Sequence, residues 1–225
     1  MDARYSRNIP ALTEAECLAL RQKRVLVVGC GGLGGHIIDQ LSRIGLGSMR
    51  VVDGDVFDAT NLNRQLLSSV PLLGISKAEA AAAHVSRVSP DTEAEAVPVF
   101  LSEENAAQLV AGCDIAMDAL DNTSSRKILA AACAEAGIPY VYGAISGWVA
   151  QAAVSMPGDM LMEILFPEEV EIRDKSVLSF TPALCASLQV SLCVKLLTGR
   201  PVEAGTVYHF DLLNLELESI PLMLI

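Results

Sequence analysis

Between Gly29 and Asp121 the chain carries a set of residues whose types suit phosphate chemistry. Gly29-Cys30-Gly31-Gly32-Leu33-Gly34 fits the G-x-G-x-x-G pattern and directly follows the apolar run Arg24-Val25-Leu26-Val27-Val28. Glycines at 29, 31 and 34 let a strand turn sharply into a helix, bring the backbone close to a phosphate and seat helix against strand. The helix then offers unpaired N–H groups and a positive dipole end to an anion. A second apolar run, Met49-Arg50-Val51-Val52, ends in Asp53, 24 residues after Gly29. Near that distance an acid hydrogen-bonds a ribose hydroxyl. Nucleotide binding is the expectation.

Two acids, Asp53 and Asp121, follow the second and fourth predicted strands, on the side where such sheets bind ligands. Between them lie the polar loop Asn61-Leu62-Asn63-Arg64-Gln65 and Lys77, which opens a helix. A dehydrogenase uses the glycine loop and the ribose acid but leaves Arg64, Lys77 and Asp121 idle. Phosphoryl or nucleotidyl transfer uses all of them, because charge develops on phosphate oxygens and Mg²⁺ must be held. Blander readings exist residue by residue. Asn61 suits a turn, Arg64 a solvated charge and Asp121 a helix cap. A lysine in a first helical turn is mildly unfavourable unless an anion sits there, which tilts Lys77 towards the site.

These residues need a scaffold, and the pattern supplies one. Strands are predicted near 24–29, 48–53, 94–100, 114–120 and 138–143, alternating with helices near 13–21, 33–45, 76–88, 103–111 and 123–136. Such alternation implies an α/β, Rossmann-like domain with a mainly parallel sheet in the N-terminal two thirds. Ser76 and Asn122 are the predicted caps of their helices. After Gly147 the pattern changes: a strand over 148–156, an irregular loop over 157–180, an apolar helix over 182–198, then closing strands at 207–211 and 215–218, the second with clean alternation. These late strands are expected to be antiparallel additions. Trp148 and the methionines read as core, with Met160 and Met162 an adaptable partner surface if the loop exposes them.

Composition narrows the class. Hydrophobic residues at 52% are enough for a sizeable core in one domain. A net charge of −11 argues against broad nucleic-acid binding. The polar start Met1–Arg7 is unlike a signal peptide, and the apolar run 177–197 is broken by Ser179, Thr181, Pro182, Ser187, Gln189, Ser191 and Lys195. A cytoplasmic protein without membrane attachment is expected. The six cysteines form no C-x-x-C pair and read as free buried thiols; Cys185, at the start of the apolar helix, has no adjacent base. His36, His84 and His209 have no ligand spacing.

Gly29–Gly34, Asp53-Gly54-Asp55, Asn61–Gln65, Gly74-Ile75-Ser76-Lys77 and Asp118-Ala119-Leu120-Asp121-Asn122 resemble, in order and spacing, the ThiF/MoeB/HesA family of bacterial relatives of ubiquitin-activating enzymes. The opening Arg4-Tyr5-Ser6-Arg7-Asn8-Ile9 is similar to the family's R-Y-x-R-Q-I, and the resemblance covers nearly the whole chain. It implies a single ThiF-type adenylation domain: a helical arm over 1–22, a nucleotide-binding core over 23–147 and a carrier-binding and dimer extension over 148–225. The implied activity is ATP-dependent adenylation of the C-terminal Gly-Gly carboxylate of a small ubiquitin-like sulfur carrier, releasing pyrophosphate. Gly32 would lie against the phosphates, Asp53 hold the ribose, Asn61, Arg64 and Lys77 contact the triphosphate, and Asp121 hold Mg²⁺. Gly29, Gly31, Gly34, Asp55, Gln65 and Asn122 complete the implied nucleotide site. Arg7 would reach across a homodimer into the partner's site.

Two departures from the family stand out. Leu161 and Ile164 occupy positions where many members place the first C-x-x-C pair of a structural zinc site, so no zinc is expected. No cysteine occurs between Cys133 and Cys185, where sulfur-transferring and conjugating members place a reactive thiol, so no thioester step is expected on this chain, and whether a separate sulfurtransferase completes the chemistry stays open. The rival readings are an NAD(P)-dependent oxidoreductase and a non-catalytic ATP- or carrier-binding module. The carrier's identity stays open.

Overall fold

The computed structural model describes residues 3–168 and 176–222. Its elements in chain order are α1 (Glu14–Leu20), β1 (Arg24–Val28), α2 (Gly32–Ile44), β2 (Ser48–Val52), α3 (Lys77–Val88), β3 (Glu93–Val97), α4 (Glu103–Val110), β4 (Ile115–Asp118), α5 (Thr123–Ala136), β5 (Tyr140–Ser146), β6 (Val149–Ser155), α6 (Leu161–Leu165), α7 (Phe180–Leu197), β7 (Thr206–Asp211) and β8 (Glu216–Pro221). One eight-stranded sheet runs β3-β2-β1-β4-β5-β6-β7-β8. The first five strands are parallel and the last three join antiparallel, as the pattern predicts.

Helix-connected parallel strands must be covered on both faces, and a period of two divides each strand between them. Val25, Val27, Val51 and Met117 join one core cluster with Ile37, Ala81 and Cys193. Leu26, Val28, Val52 and Ala116 join the other with Leu109, Leu129 and Leu161. Helix α7 is apolar and long enough to cross a membrane, yet half of that stretch is buried and it packs on α2, β5 and β6.

Ser76 Oγ accepts from Glu79 N, and Asn122 Oδ1 accepts from Ser125 N at 2.8 Å, so the predicted caps are present. The N-terminal arm is a 3₁₀ turn, Ala3–Asn8, anchored by Tyr5. Tyr5 is buried, its hydroxyl lies 2.7 Å from Ser89 Oγ, and the Arg4 and Arg21 guanidinium groups sit over its ring.

Several expectations need correction. The 157–180 excursion contains α6, whose Leu161 and Met162 are buried in the second core cluster, with Asp159 just ahead of it accepting from Met156 N and Leu161 N. Met162 is therefore core, and Met160 alone of that pair is exposed. The rest of that excursion, 169–175, lies outside the described residues. Trp148 is 43% exposed, tilted against the similarly exposed Phe180 with ring centroids 5.0 Å apart, because it sits at the β5–β6 turn rather than inside a strand. The alternation of β8 buries neither face: all six residues are exposed on the sheet's last strand.

Candidate active site

Strand order reverses between β1 and β4, and a crevice opens beyond their C-terminal ends, the usual ligand position in such sheets. It holds a cavity of about 670 Å³. The glycine loop forms its floor. Gly29 has φ +98, and a Cβ there would lie 2.4 Å from Ala119 O. A Cβ on Gly34 would lie 1.8 Å from Gly29 O. Both positions thus require glycine, one for the turn and one for the close approach of helix to strand. Gly31, at the N-cap of α2, and Gly32, the first residue of that helix, line the cavity.

Asp53 is held by the loop it faces. Its carboxylate accepts from Cys30 N at 2.7 Å and from Asp55 N at 2.8 Å. Burial pushes its pKa above the ordinary value, opposed by those two N–H groups and by Lys77. Each oxygen accepts one of these bonds and keeps further acceptor capacity, and Asp53 lines the cavity.

The 54–76 crossover brings in the polar cluster. Asn61 is buried and accepts from Asp58 N at 3.0 Å, so its turn-forming role is real. Arg64 donates to Thr60 O and Asn63 Oδ1, both at 2.9 Å, and its stem lies beside Gly32. Gln65 is buried against Gly31, with Oε1 lacking a hydrogen-bond partner. Lys77 is 7% exposed, and its Nζ lies 3.0 Å from Asp55 Oδ2. The anion expected at that helix start is thus supplied by the chain itself.

Across the crevice, Asp121 is exposed and, among the described residues, accepts one long bond, 3.3 Å, from Asn122 Nδ2. Asn122 caps α5, so the capping alternative for Asp121 falls away. β4 ends at Asp118, three residues before the acid expected to close it. Arg64, Lys77 and Asp121, from three separate stretches, line one cavity with Gly31 and Gly32. Arg7 does not; it is exposed on the N-terminal arm.

Other lining residues gave no sequence signal. Phe100, 66% exposed, covers Gly54 just beyond β3 and, with Val99 and Leu101, makes an apolar end. Arg126, Tyr142, Gln151 and Phe166 line the opposite lobe.

The residues present fit a nucleotide with Mg²⁺. A Cβ added at Gly29 or Gly34 would collide with backbone of the floor, Gln65 Oε1 is a buried acceptor without a hydrogen-bond partner beside Gly31, and Arg64, Lys77 and the exposed Asp121 all line the cavity. Among the described residues no three His, Cys, Asp or Glu side chains gather to hold a metal by themselves. Mg²⁺ needs no such cage, since one or two carboxylates plus substrate phosphates suffice.

The ThiF family matches residues 5–223. The chain belongs to the ThiF family. The SAMP-activating enzyme E1 of Haloferax volcanii is 35% identical over 210 residues, covering 90% of this chain and 77% of that protein. The sulfur carrier protein adenylyltransferase of Thermus thermophilus is 32% identical, covering 87% and 77%. Adenylyltransferase and sulfurtransferase MOCS3 of Mus musculus is 34% identical, but the chain spans only 47% of its length. The crystal structure of E. coli MccB with ATP superposes with a TM-score of 0.83 over 98% of this chain and 71% of that one; at 19% identity it shows the shared fold.

Proposed function

We propose that this ThiF-family chain adenylates the C-terminal carboxylate of a small ubiquitin-like sulfur carrier, consuming ATP and releasing pyrophosphate. The observation that carries the reading is the convergence of Arg64, Lys77 and Asp121 on one glycine-floored cavity. The names of the Haloferax and Thermus relatives support the carrier as the acceptor.

In the proposed step a carrier carboxylate oxygen attacks the α-phosphorus of ATP, and the bond to the β-phosphate oxygen breaks as pyrophosphate leaves. Both reactants are anions, so approach depends on cations and fixed N–H dipoles that cancel the repulsion before the bond forms. Arg64 and Lys77 would serve the triphosphate. Gly31 and Gly32 leave room for it beside the α2 N-terminus, with Asn61, Gln65 and Asn122 on its borders. Asp53 would take the ribose and Asp55 release Lys77 to the phosphates. Mg²⁺, held by Asp121, would neutralise phosphate charge and orient the leaving group.

All six cysteines are buried and unpaired, and burial pushes Cys185 and Cys133 up to about 12. Free thiols fit the proposed cytoplasmic setting, and their burial supports sulfur delivery by a separate sulfurtransferase. Exposed Arg7 and the exposed apolar Leu66, Val70 and Ile75 on the crossover support a homodimer in which Arg7 serves the partner's cavity.

Pyrophosphate exchange into ATP with a carrier ending in Gly-Gly tests the reading. Carrier-dependent exchange, lost in Asp121→Ala, is expected. Reduction of a nicotinamide cofactor, or ATP binding without exchange, would overturn it.

A further inference from the structure

The backbone leading into Asp121 is held at four polar atoms by buried groups. Asp118, fully buried, receives the Tyr140 hydroxyl on Oδ2 at 2.6 Å and Leu120 N on Oδ1 at 2.8 Å. Its carbonyl receives Gln189 Nε2 at 2.8 Å. Ala119 N donates to Val28 O at 3.0 Å. Leu120 O receives Arg126 Nη2 at 2.5 Å.

Arg126 is itself 4% exposed, and its Nη1, 3.6 Å from Asp118 Oδ2, has no hydrogen bond of its own. Its guanidinium lies 5.1 Å from the Tyr142 ring centre and 6.0 Å from that of Phe166. A buried ion pair is a weak source of net stability. This one has a local effect instead: acid and base hold the N–H and the C=O of the same residue, Leu120. The next residue, Asp121, is exposed, and the one after it caps α5.

We infer that Arg126 and Asp118 are positioning residues for metal binding, clamping Leu120 so that the Asp121 carboxylate is presented at a fixed place on the cavity rim. This rests on the role proposed above for Asp121. Groups that orient a ligand from behind commonly change metal affinity by about 10–100-fold when removed.

Mn²⁺ serves as the probe, titrated by electron paramagnetic resonance into the whole protein saturated with adenosine 5′-(α,β-methylene)triphosphate. Nucleotide affinity in EDTA and the melting temperature are measured alongside. Arg126→Met should weaken Mn²⁺ binding about tenfold, with nucleotide affinity in EDTA falling by a clearly smaller factor. Arg126→Lys keeps the buried charge but lacks the planar fork, and should still weaken Mn²⁺ several-fold. If Arg126→Met does not fold, Arg126→Lys decides. Adding Arg126→Lys to Asp121→Ala should cost nothing further. Wild-type Mn²⁺ affinity in Arg126→Lys, with Asp121→Ala impaired, overturns this inference alone. Unchanged Mn²⁺ affinity in Asp121→Ala overturns the metal role on which it rests.

Discussion

Lys77 Nζ and Asp55 Oδ2 lie 3.0 Å apart, the lysine almost fully buried and the acid exposed. A cation kept so close to the glycine loop is available to a phosphate once Asp55 yields. Lys77→Met should lower pyrophosphate exchange about 100-fold, near 2.7 kcal/mol of lost charge stabilisation. The pair is half in solvent, so thermal stability should change little. A rate within twofold of wild type would remove Lys77 from the site.

Arg7 and Asp121 allow a complementation experiment. If Arg7 acts across a two-fold interface, Arg7→Ala and Asp121→Ala are each inactive alone. Mixed and allowed to exchange subunits, they should recover about a quarter of wild-type exchange, since one site in each hybrid dimer is intact. No recovery, with hybrids demonstrated by native mass spectrometry, argues that Arg7 acts within its own chain or not at all.

Two glycines should differ sharply on mutation. At Gly34 an added Cβ meets Gly29 O at 1.8 Å, backbone that cannot give way. Gly34→Ala should cost about 3 kcal/mol or more by denaturant unfolding. Gly74 has φ +81 and open space around it, so Gly74→Ala carries only backbone strain, about 1 kcal/mol.

Asp39 sets part of the acid limit of stability. Burial raises its pKa, but bonds from His84 Nε2 and Arg43 outweigh that and hold it at about 2, below the unfolded value near 3.8. A depressed folded pKa contributes stability that is complete above about pH 5 and is lost as pH falls through about 2. Asp39→Asn should therefore cost about 1 kcal/mol at pH 7 after allowance for solvent screening, and the cost should vanish near pH 2. Equal destabilisation at both pH values would sink the assignment.

Much of this site was legible because its parts are punctuated locally. Gly29–Gly34 after an apolar run, Asp53 at a strand end and Asn122 before a helix each carry their own physical signature. The 48–53 strand and the parallel-to-antiparallel change after β5 were legible for the same reason. What was hidden depends on distant partners. Asp118 reads as part of a strand, and its pairing with Arg126 and Tyr140 appears only when β4, α5 and β5 meet. Phe100 and Phe166 are single aromatics with no period around them. Trp148 misled because large apolar residues are usually core, while a turn and a neighbouring Phe180 let it stay outside. Helix α6 is five residues long, too short for a periodic signal.

The contact between Gly29 and Ala119 ties the first and fourth strands together at the crevice floor. Such a floor has no slack to close around its guest. Accommodation must come from the rim, where the crossover exposes Leu66, Val70 and Ile75 and Phe100 is 66% exposed. Calorimetry of nucleotide binding should accordingly register little core rearrangement, and hydrogen exchange should slow at the rim while the floor, already rigid, stays as it was.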